Sequence, residues 1–194
     1  MLHQAAGIVG EELALTTHIA FLRAVNVGGR VVRMERLRAI FEGLGFADVR
    51  TYIQSGNVFF DSPGEGRAAL QRKIEARLRK DLGYEVEAMV RTVTEVEAAL
   101  ARDAFAGVEV SEHTRLCVVF LHQGRPPKVA LPARSPKGDV EVLDATDGEA
   151  FVVLNQQPGR AVNALPFLTK LFGQPTTSRF HATTQKIVAA AKKR

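Results

Sequence analysis

The sequence of 194 residues contains a single cysteine and no tryptophan, and the scarcity of cysteine excludes several classes of site. With Cys117 alone, no intramolecular disulfide, CxxC redox pair or thiolate zinc cage can form. Because disulfides are rare in reducing compartments, this composition favours a cytoplasmic location. Cys117 stands inside the apolar run 116–120, so we expect it to be buried as a small apolar side chain.

The chain also lacks long apolar runs. None approaches the roughly 18 residues that a membrane-spanning helix requires, so no membrane association is predicted. The first fifteen residues have neither the basic start nor the apolar centre of a secretory signal, and we expect residues 1–16 to form an N-terminal extension. The five histidines follow no metal-binding spacing, so we predict no metal site, and nothing identifies a cofactor.

The net charge of +5, from 26 Lys and Arg against 21 Asp and Glu, is modest. Such an excess is compatible with a nucleic-acid or phosphate partner but does not require one. With 46% hydrophobic and 24% charged residues, the composition is that of a globular protein with a real core. It indicates no particular protein partner.

Hydrophobic periodicity predicts an α+β fold that begins with a βαββαβ unit over residues 17–91. This order is that of a ferredoxin-like unit. The predicted strands are 18–23, 48–54, 58–61 and 84–91, and the predicted helices are 33–44 and a segment that contains Leu70, Ile74 and Leu78 and stops at Gly83.

Residues 92–194 are predicted to form a second α/β subdomain with C-terminal helices, packed against the first unit. The predicted elements are helices at 94–105, 163–172 and 183–193, a strand at 115–121 and a hairpin at 139–143 and 149–154. Four prolines mark 124–138 as a loop. No internal repeat is visible in the sequence.

Two polar segments that contain glycine follow predicted strands. The first contains Arg23, Asn26, Gly28 and Gly29, and the second is the turn 54–57, with the sequence Gln54, Ser55, Gly56 and Asn57. In a split β-α-β unit the end of the first strand and the second turn lie at the same end of the sheet, so we expect the segments to meet. There they could bind an anion through arginine, amide and backbone N–H groups. The alternative is that the glycines and amides only form ordinary turns.

Both segments resemble the domain of unknown function 1697 family, through Leu22–Gly29 and Tyr52–Val58. The resemblance implies a compact α/β protein with ferredoxin-like subdomains and no established activity. A third family stretch is similar to Thr177–Thr183, in which Arg179 and Thr183 are retained and His181 replaces a tryptophan. By this resemblance, Arg179, His181 and Thr183 would complete the site, with altered hydrogen-bonding and stacking groups.

The leading hypothesis is therefore a protein that binds an anionic or nucleotide-like small ligand. A nucleic-acid-binding module that uses the basic residues Lys73, Arg77 and Lys80 of the second helix is an alternative, although a solvated helix face explains them too. A third alternative is an enzyme acting on phosphorylated substrates. No catalytic residue can be assigned, because no recognisable pattern ties a base to Ser55.

Overall fold

The computed structural model describes residues 15–26, 28–126, 128–157 and 159–193. Within these residues the protein has five helices and two antiparallel sheets. In chain order the elements are β1 (Leu15–Leu22), α1 (Met34–Glu42), β2 (Ala47–Tyr52), β3 (Asn57–Pro63), α2 (Arg67–Leu82), β4 (Ala88–Thr92), α3 (Val93–Leu100), β5 (Thr114–Leu121), β6 (Ala133–Arg134), β7 (Val140–Ala145), β8 (Glu149–Asn155), α4 (Leu165–Phe172), β9 (Thr176–Phe180) and α5 (His181–Ala191).

The predicted extension 1–16 lies mostly outside the described residues. Its last two residues, Leu15 and Thr16, belong to β1, where they pair with Pro63 and Ser62 of β3. The first strand therefore begins earlier than the pattern predicted. No helix among the described residues is long and apolar enough to cross a membrane.

The first sheet has the strand order β2-β3-β1-β4, and every neighbouring pair is antiparallel. Because β3 runs antiparallel to both β1 and β2, the end of β1 lies beside the turn that joins β2 to β3. Both faces of this sheet are covered. Alternate residues of β1 show this, since Ala20 and Leu22 belong to the core with α1 and α2, whereas Ile19 and Phe21 pack towards the second sheet.

The second sheet has the order β6-β7-β8-β5-β9 and is also antiparallel throughout. Val118 and Phe120 of β5 face the first sheet, and the ring of Phe120 stacks on that of Phe21 with 3.7 Å between centroids. Cys117 lies on the opposite face, in the core with α4. The predicted burial of this cysteine is confirmed, and burial raises the pKa of its thiol to about 12.

The two halves of the chain repeat one topology, although no repeat is visible in the sequence. In the second half β7-β8-β5-β9 stand in the same order as β2-β3-β1-β4, with α4 before and α5 after the last strand, as α2 precedes and α3 follows β4. The strand registers also correspond. Phe21 lies opposite Asn57 and Met89 in the first sheet, and Phe120 lies opposite Glu149 and Thr177 in the second.

The halves differ in two connections, the one that follows β1 or β5 and the hairpin turn that lies beside the end of that strand. α1 has no helical counterpart, since the chain between β5 and β7 contains only the two-residue strand β6. The hairpin turns also differ. Tyr52 pairs with Asn57 and leaves the four-residue turn 53–56, whereas Thr146 donates its backbone N–H to Glu149 (2.8 Å) and leaves a two-residue turn. The repeated strand order therefore forms both with and without a helix at the position of α1, and with either length of turn.

Candidate functional site

The structure brings the two polar loops together at the end of β1. Asn26 ties them, because its Oδ1 accepts the backbone N–H of Val32 (2.7 Å) and its Nδ2 donates to the carbonyl of Gln54 (3.0 Å). One side chain thus closes the loop before α1 and fastens it to the β2–β3 turn. Both ends of the Asn26 amide are used in this tie.

A cavity of about 470 Å³ opens beside this tie, between the loop and the first turn of α1. Its lining is formed by Asn26, Arg30, Val31, Val32, Arg33, Met34, Glu35 and Gln54. Arg30, Arg33 and Gln54 are exposed. Arg33 is also the N-cap residue of α1 and makes no side-chain capping bond, so the first N–H groups of the helix face this region without a side-chain cap from that residue. These groups suit an anion.

Glu35 is the acidic residue of the cavity lining, and it opposes an anion. Its carboxylate accepts a bond from its own backbone N–H and from Arg38 (3.3 Å), and these interactions lower its pKa from the ordinary value. Since Arg38 pairs with it, the charge of Glu35 is partly compensated. The two arginines of the lining then leave the cavity positive.

Arg30 is held at the cavity by an aromatic ring. Its guanidinium carbon lies 4.2 Å from the centroid of Tyr84, and the hydroxyl of Tyr84 donates to the carbonyl of Val25 (3.1 Å). A cation stacked on a ring in this way has a preferred direction without losing its charge. Arg30 was not among the site residues predicted from the sequence.

Of the first-loop residues named from the sequence, Arg23 lies apart from the cavity lining. Its guanidinium pairs with Glu87 at 3.0 Å, and both side chains are about two-thirds buried. The charge of Arg23 therefore already has a partner. Gly28 and Gly29 are exposed and have positive φ angles of 69° and 80°, the conformation that a tight loop before a helix requires.

The four residues of the second segment divide into an exposed and a buried pair. Gln54 and Ser55 are exposed, whereas Gly56 and Asn57 are buried. Gly56 has φ of 74°, and a Cβ there would lie 2.7 Å from Cγ1 of Val25, so only glycine fits. Asn57 donates to the carbonyl of Tyr52 (3.1 Å) and to Ser55 Oγ (2.9 Å). Asn57 shapes the turn from the inside.

Arg179 of β9 lies behind this turn. It is only 9% exposed, and its Nε donates to Oδ1 of Asn57 at 2.8 Å. Its other donors reach Thr177 Oγ1 and the carbonyls of Ser178, Leu22, Ser55 and Gly56. All five N–H groups of the guanidinium thus point at protein oxygens. Arg179 ties the end of β1 to the β2–β3 turn but has no donor left for a ligand.

His181 and Thr183 are not part of the cavity lining. Both belong to the first turn of α5 and are half-buried. The His181 ring meets Phe105 edge-on, with 5.3 Å between centroids, and burial lowers the pKa of its imidazole. Of the three C-terminal residues named from the sequence, Arg179 is the one that donates hydrogen bonds to the end of β1 and to the β2–β3 turn.

Arg91 is the counterpart of Arg179 in the repeated topology. Each arginine is the fourth residue of its five-residue strand, β4 or β9. Arg91 donates to the carbonyls of Leu121 (2.7 Å) and Gly148, which correspond to Leu22 and Gly56. Its Nε binds Glu149 Oε1 at 2.6 Å. The sequence pattern did not single out Arg91, although an arginine inside the apolar strand 88–92 was a signal.

Ile53 introduces backbone strain at the site. It is 46% exposed and has φ of 50°, which is rare for a β-branched residue. None of residues 146–148 in the corresponding turn, all of them described, has a positive φ. The second half therefore joins its corresponding strands, β7 and β8, through a turn without a strained residue. Because the corresponding turn forms without it, the backbone strain at Ile53 suggests a functional constraint on this turn.

Replacing Ile53 by asparagine is expected to raise the free energy of unfolding by about 0.5–1 kcal/mol, because asparagine tolerates the left-handed conformation. Urea unfolding of both proteins measures the difference. Thr51→Asn, in the extended strand β2, is the control and is expected to lower stability instead. A decrease of stability in Ile53→Asn would show that the side chain contributes more than its strain costs.

The basic residues of α2 are mostly compensated. Lys73 binds Glu65 and Arg77 binds Asp81, at 3.1 and 2.6 Å; Arg67 and Arg79 bind Glu95 and Glu85. Lys80 is exposed. The aromatic residues of β3 that a sheet-based nucleic-acid interface would use, Phe59 and Phe60, are at most 2% exposed. Both sheet faces are covered, so the geometry offers nucleic acid no stacking surface on this sheet.

The described residues include no group of three or more His, Cys, Asp or Glu side chains arranged to hold a metal ion. The donors that the cavity offers are guanidinium and amide groups, which suit an oxyanion rather than a cation.

Comparisons with known proteins give a family and a related structure. Residues 15–151 match the family model described as protein of unknown function (DUF1697). Among solved structures, the chain is similar to the conserved bacterial protein SP0830 from Streptococcus pneumoniae, with 25% sequence identity and a TM-score of 0.71. The match covers 93% of this chain and 100% of that chain. No curated protein matches.

Proposed function

This chain belongs to the family of proteins of unknown function DUF1697, and we propose that it binds a small anionic ligand in the cavity between the loop after β1 and the first turn of α1. Arg30 and Arg33 supply the charge, and the Gln54 side chain and the backbone N–H of Met34, the first residue of α1, supply directional hydrogen bonds. Asn26 keeps the loops in place from behind. Because the groups are side-chain and backbone donors, the ligand is an oxyanion such as a phosphate or a phosphorylated small molecule.

The comparison of the two halves is the observation that carries this proposal. In the second half the residues after β5 close directly on the hairpin turn, since Arg125 donates its backbone N–H to the carbonyl of Asp147 at 3.0 Å. A Cβ on Gly124 would lie 2.9 Å from that same oxygen. The first half uses the same strands, but there a side chain, that of Asn26, makes the link to the turn, and a cavity remains between the loop and α1. An opening that the fold does not require favours a binding role.

We also infer that residues 17–91 form a ferredoxin-like unit and that 92–194 form a second subdomain. The order βαββαβ and the antiparallel sheet β2-β3-β1-β4 support the first part. The shared core that contains Ile19, Phe21, Val118 and Phe120 supports close packing of the two. The binding cavity then belongs to the first unit alone.

Neutralising Arg30 and Arg33 together, as R30Q/R33Q, is expected to abolish stabilisation by inorganic phosphate. A ligand at 100 times its Kd stabilises a protein by about 2.7 kcal/mol, and loss of two charges lowers the affinity enough to remove most of this gain. Thermal unfolding with and without phosphate, at low salt, measures the effect. Sugar phosphates and nucleotides in the same assay give the preferred ligand.

The matched control is R72Q/K80Q, which removes two exposed charges from α2 and leaves the cavity intact. It is expected to keep the full phosphate response. If both double variants lost the response equally, net charge rather than the cavity would explain binding. If the unaltered protein bound no phosphate, sugar phosphate or nucleotide, the proposed function would be wrong. Short oligonucleotides test the basic helix, where binding would fall steeply with salt and with R72Q/K80Q.

A further inference from the structure

The two buried arginines differ in their charge balance. Arg91 faces the carboxylate of Glu149, whose side chain is 7% exposed, and the pair is compensated inside the protein. Arg179 faces the neutral amide of Asn57 at the corresponding position. Burial alone lowers the pKa of Arg179 to about 10, which leaves its guanidinium charged at neutral pH. None of its hydrogen-bond acceptors is a carboxylate.

A buried charge without a counter-charge is costly, and proteins seldom keep one. The carbonyl oxygens around Arg179 offset part of this cost through hydrogen bonds, but they carry no net charge. Arg179 donates to the carbonyl of Ser55 (2.7 Å), and the preceding residue, Gln54, lines the cavity. The uncompensated charge therefore lies directly behind the wall of the proposed binding site.

We propose that the cavity binds a dianion, namely a phosphate group, and that Arg179 is its positioning residue and buried counter-charge, an inference that rests on the function proposed above. Arg179 does not touch the ligand. By binding the carbonyls of Leu22, Ser55 and Gly56 it turns their negative ends inward, away from the cavity. Its charge also raises the electrostatic potential at the cavity, and a dianion gains twice as much from this as a monoanion.

The variant Asn57→Asp tests the charge without removing Arg179, and Asn57→Ala, which loses the same two amide donors without adding a charge, is expected to weaken phosphate binding less. Asn57→Asp places a carboxylate where the second half has Glu149, so it compensates the guanidinium. We expect phosphate affinity, measured by calorimetry at low salt, to fall about three- to tenfold. Glu149→Gln is the mirror control, because it removes the compensation from Arg91 instead. It is expected to leave phosphate affinity unchanged whatever it does to stability.

Glycerol phosphate gives a second measurement that needs no variant. The second pKa of a phosphate ester is about 6, so the dianion becomes dominant between pH 5 and 8. We expect the affinity of the unaltered protein to rise across this range. The charged or titratable groups near the cavity are those of Arg23, Arg30, Arg33, Glu35, Arg38, Tyr84 and Glu87, none of them a histidine. A rise of affinity with pH is therefore assigned to the second ionisation of glycerol phosphate.

The outcomes separate the two proposals. Weaker phosphate binding in folded Asn57→Asp, together with a rise of glycerol phosphate affinity with pH, supports the role of Arg179. Unchanged binding in folded Asn57→Asp overturns that role, and a flat pH profile overturns the dianion, while either result leaves the cavity as a general anion site. If Asn57→Asp does not fold, the pH profile decides. Absence of any phosphate binding by the unaltered protein overturns both proposals.

Discussion

Replacement of Arg91 by methionine is expected to lower the free energy of unfolding by about 3–5 kcal/mol. The Arg91 side chain is fully buried and binds Glu149 at 2.6 Å, together with the carbonyls of Val90 and Leu121. Its removal leaves Glu149 buried without its cation and leaves these carbonyls without a donor. Chemical unfolding in urea measures the loss, provided that the transition remains two-state.

Two controls show whether the cost comes from the unpaired charge. The double variant R91M/E149L removes both charges, so it is expected to recover most of the stability that R91M loses. Arg79→Met breaks the pair with Glu85, whose side chains are 64% and 68% exposed, and is expected to cost less than about 1 kcal/mol. A loss of this small size in R91M would contradict the view that an unpaired Glu149 is costly inside the protein.

The meeting of the two loops was predictable from the sequence because it follows from connectivity. Once β1, β2 and β3 are recognised by their alternation, antiparallel pairing leaves one place for the end of β1 and for the next turn. The hydrogen bond from Asn26 to the carbonyl of Gln54 is a consequence of that topology. The helix α2 was also predicted from Leu70, Ile74 and Leu78, and it ends before Gly83 as expected.

Elements whose stability comes from distant partners were not predictable. β9 has the sequence TTSRF, which contains one apolar residue, and it forms because β5 supplies its partner strand. β6, with two residues, is too short for any pattern. The predicted helix 94–105 ends instead at Leu100. The repeated topology escaped notice because corresponding residues, such as Asn57 and Glu149, share a position and not a residue type.

The candidate site shows the same limit. The sequence grouped Asn57 with the exposed residues Gln54 and Ser55 because polar side chains in one turn suggest a ligand, and the family resemblance added Arg179 to them. The structure gives Arg179 and Asn57 internal partners. Backbone carbonyls are the main acceptors, and nothing in a residue pattern shows which carbonyls a guanidinium will reach. The sequence therefore did not distinguish residues that line the cavity, such as Gln54, from buried residues that position them, such as Arg179.

Loss of either aromatic ring between the sheets is expected to cost about 3–5 kcal/mol, in Phe21→Ala or in Phe120→Ala. Both rings are fully buried, and they stack with 3.7 Å between centroids. A double-mutant cycle is expected to give a coupling of about 0.5–1.5 kcal/mol. Phe41→Ala, in the separate core with α1 and α2, is the control. In the double variant with Phe21→Ala, the two losses of unfolding free energy are expected to add.

The same variants decide whether the two halves unfold as one unit. Phe21 belongs to the first sheet and Phe120 to the second, so their contact is part of the core that both halves share. If that core makes unfolding cooperative, Phe21→Ala shifts a single transition, as seen by every probe. Two separate transitions, with that of the second half unmoved, would mean independent subdomains. The candidate cavity would then depend on the second half only through Arg179.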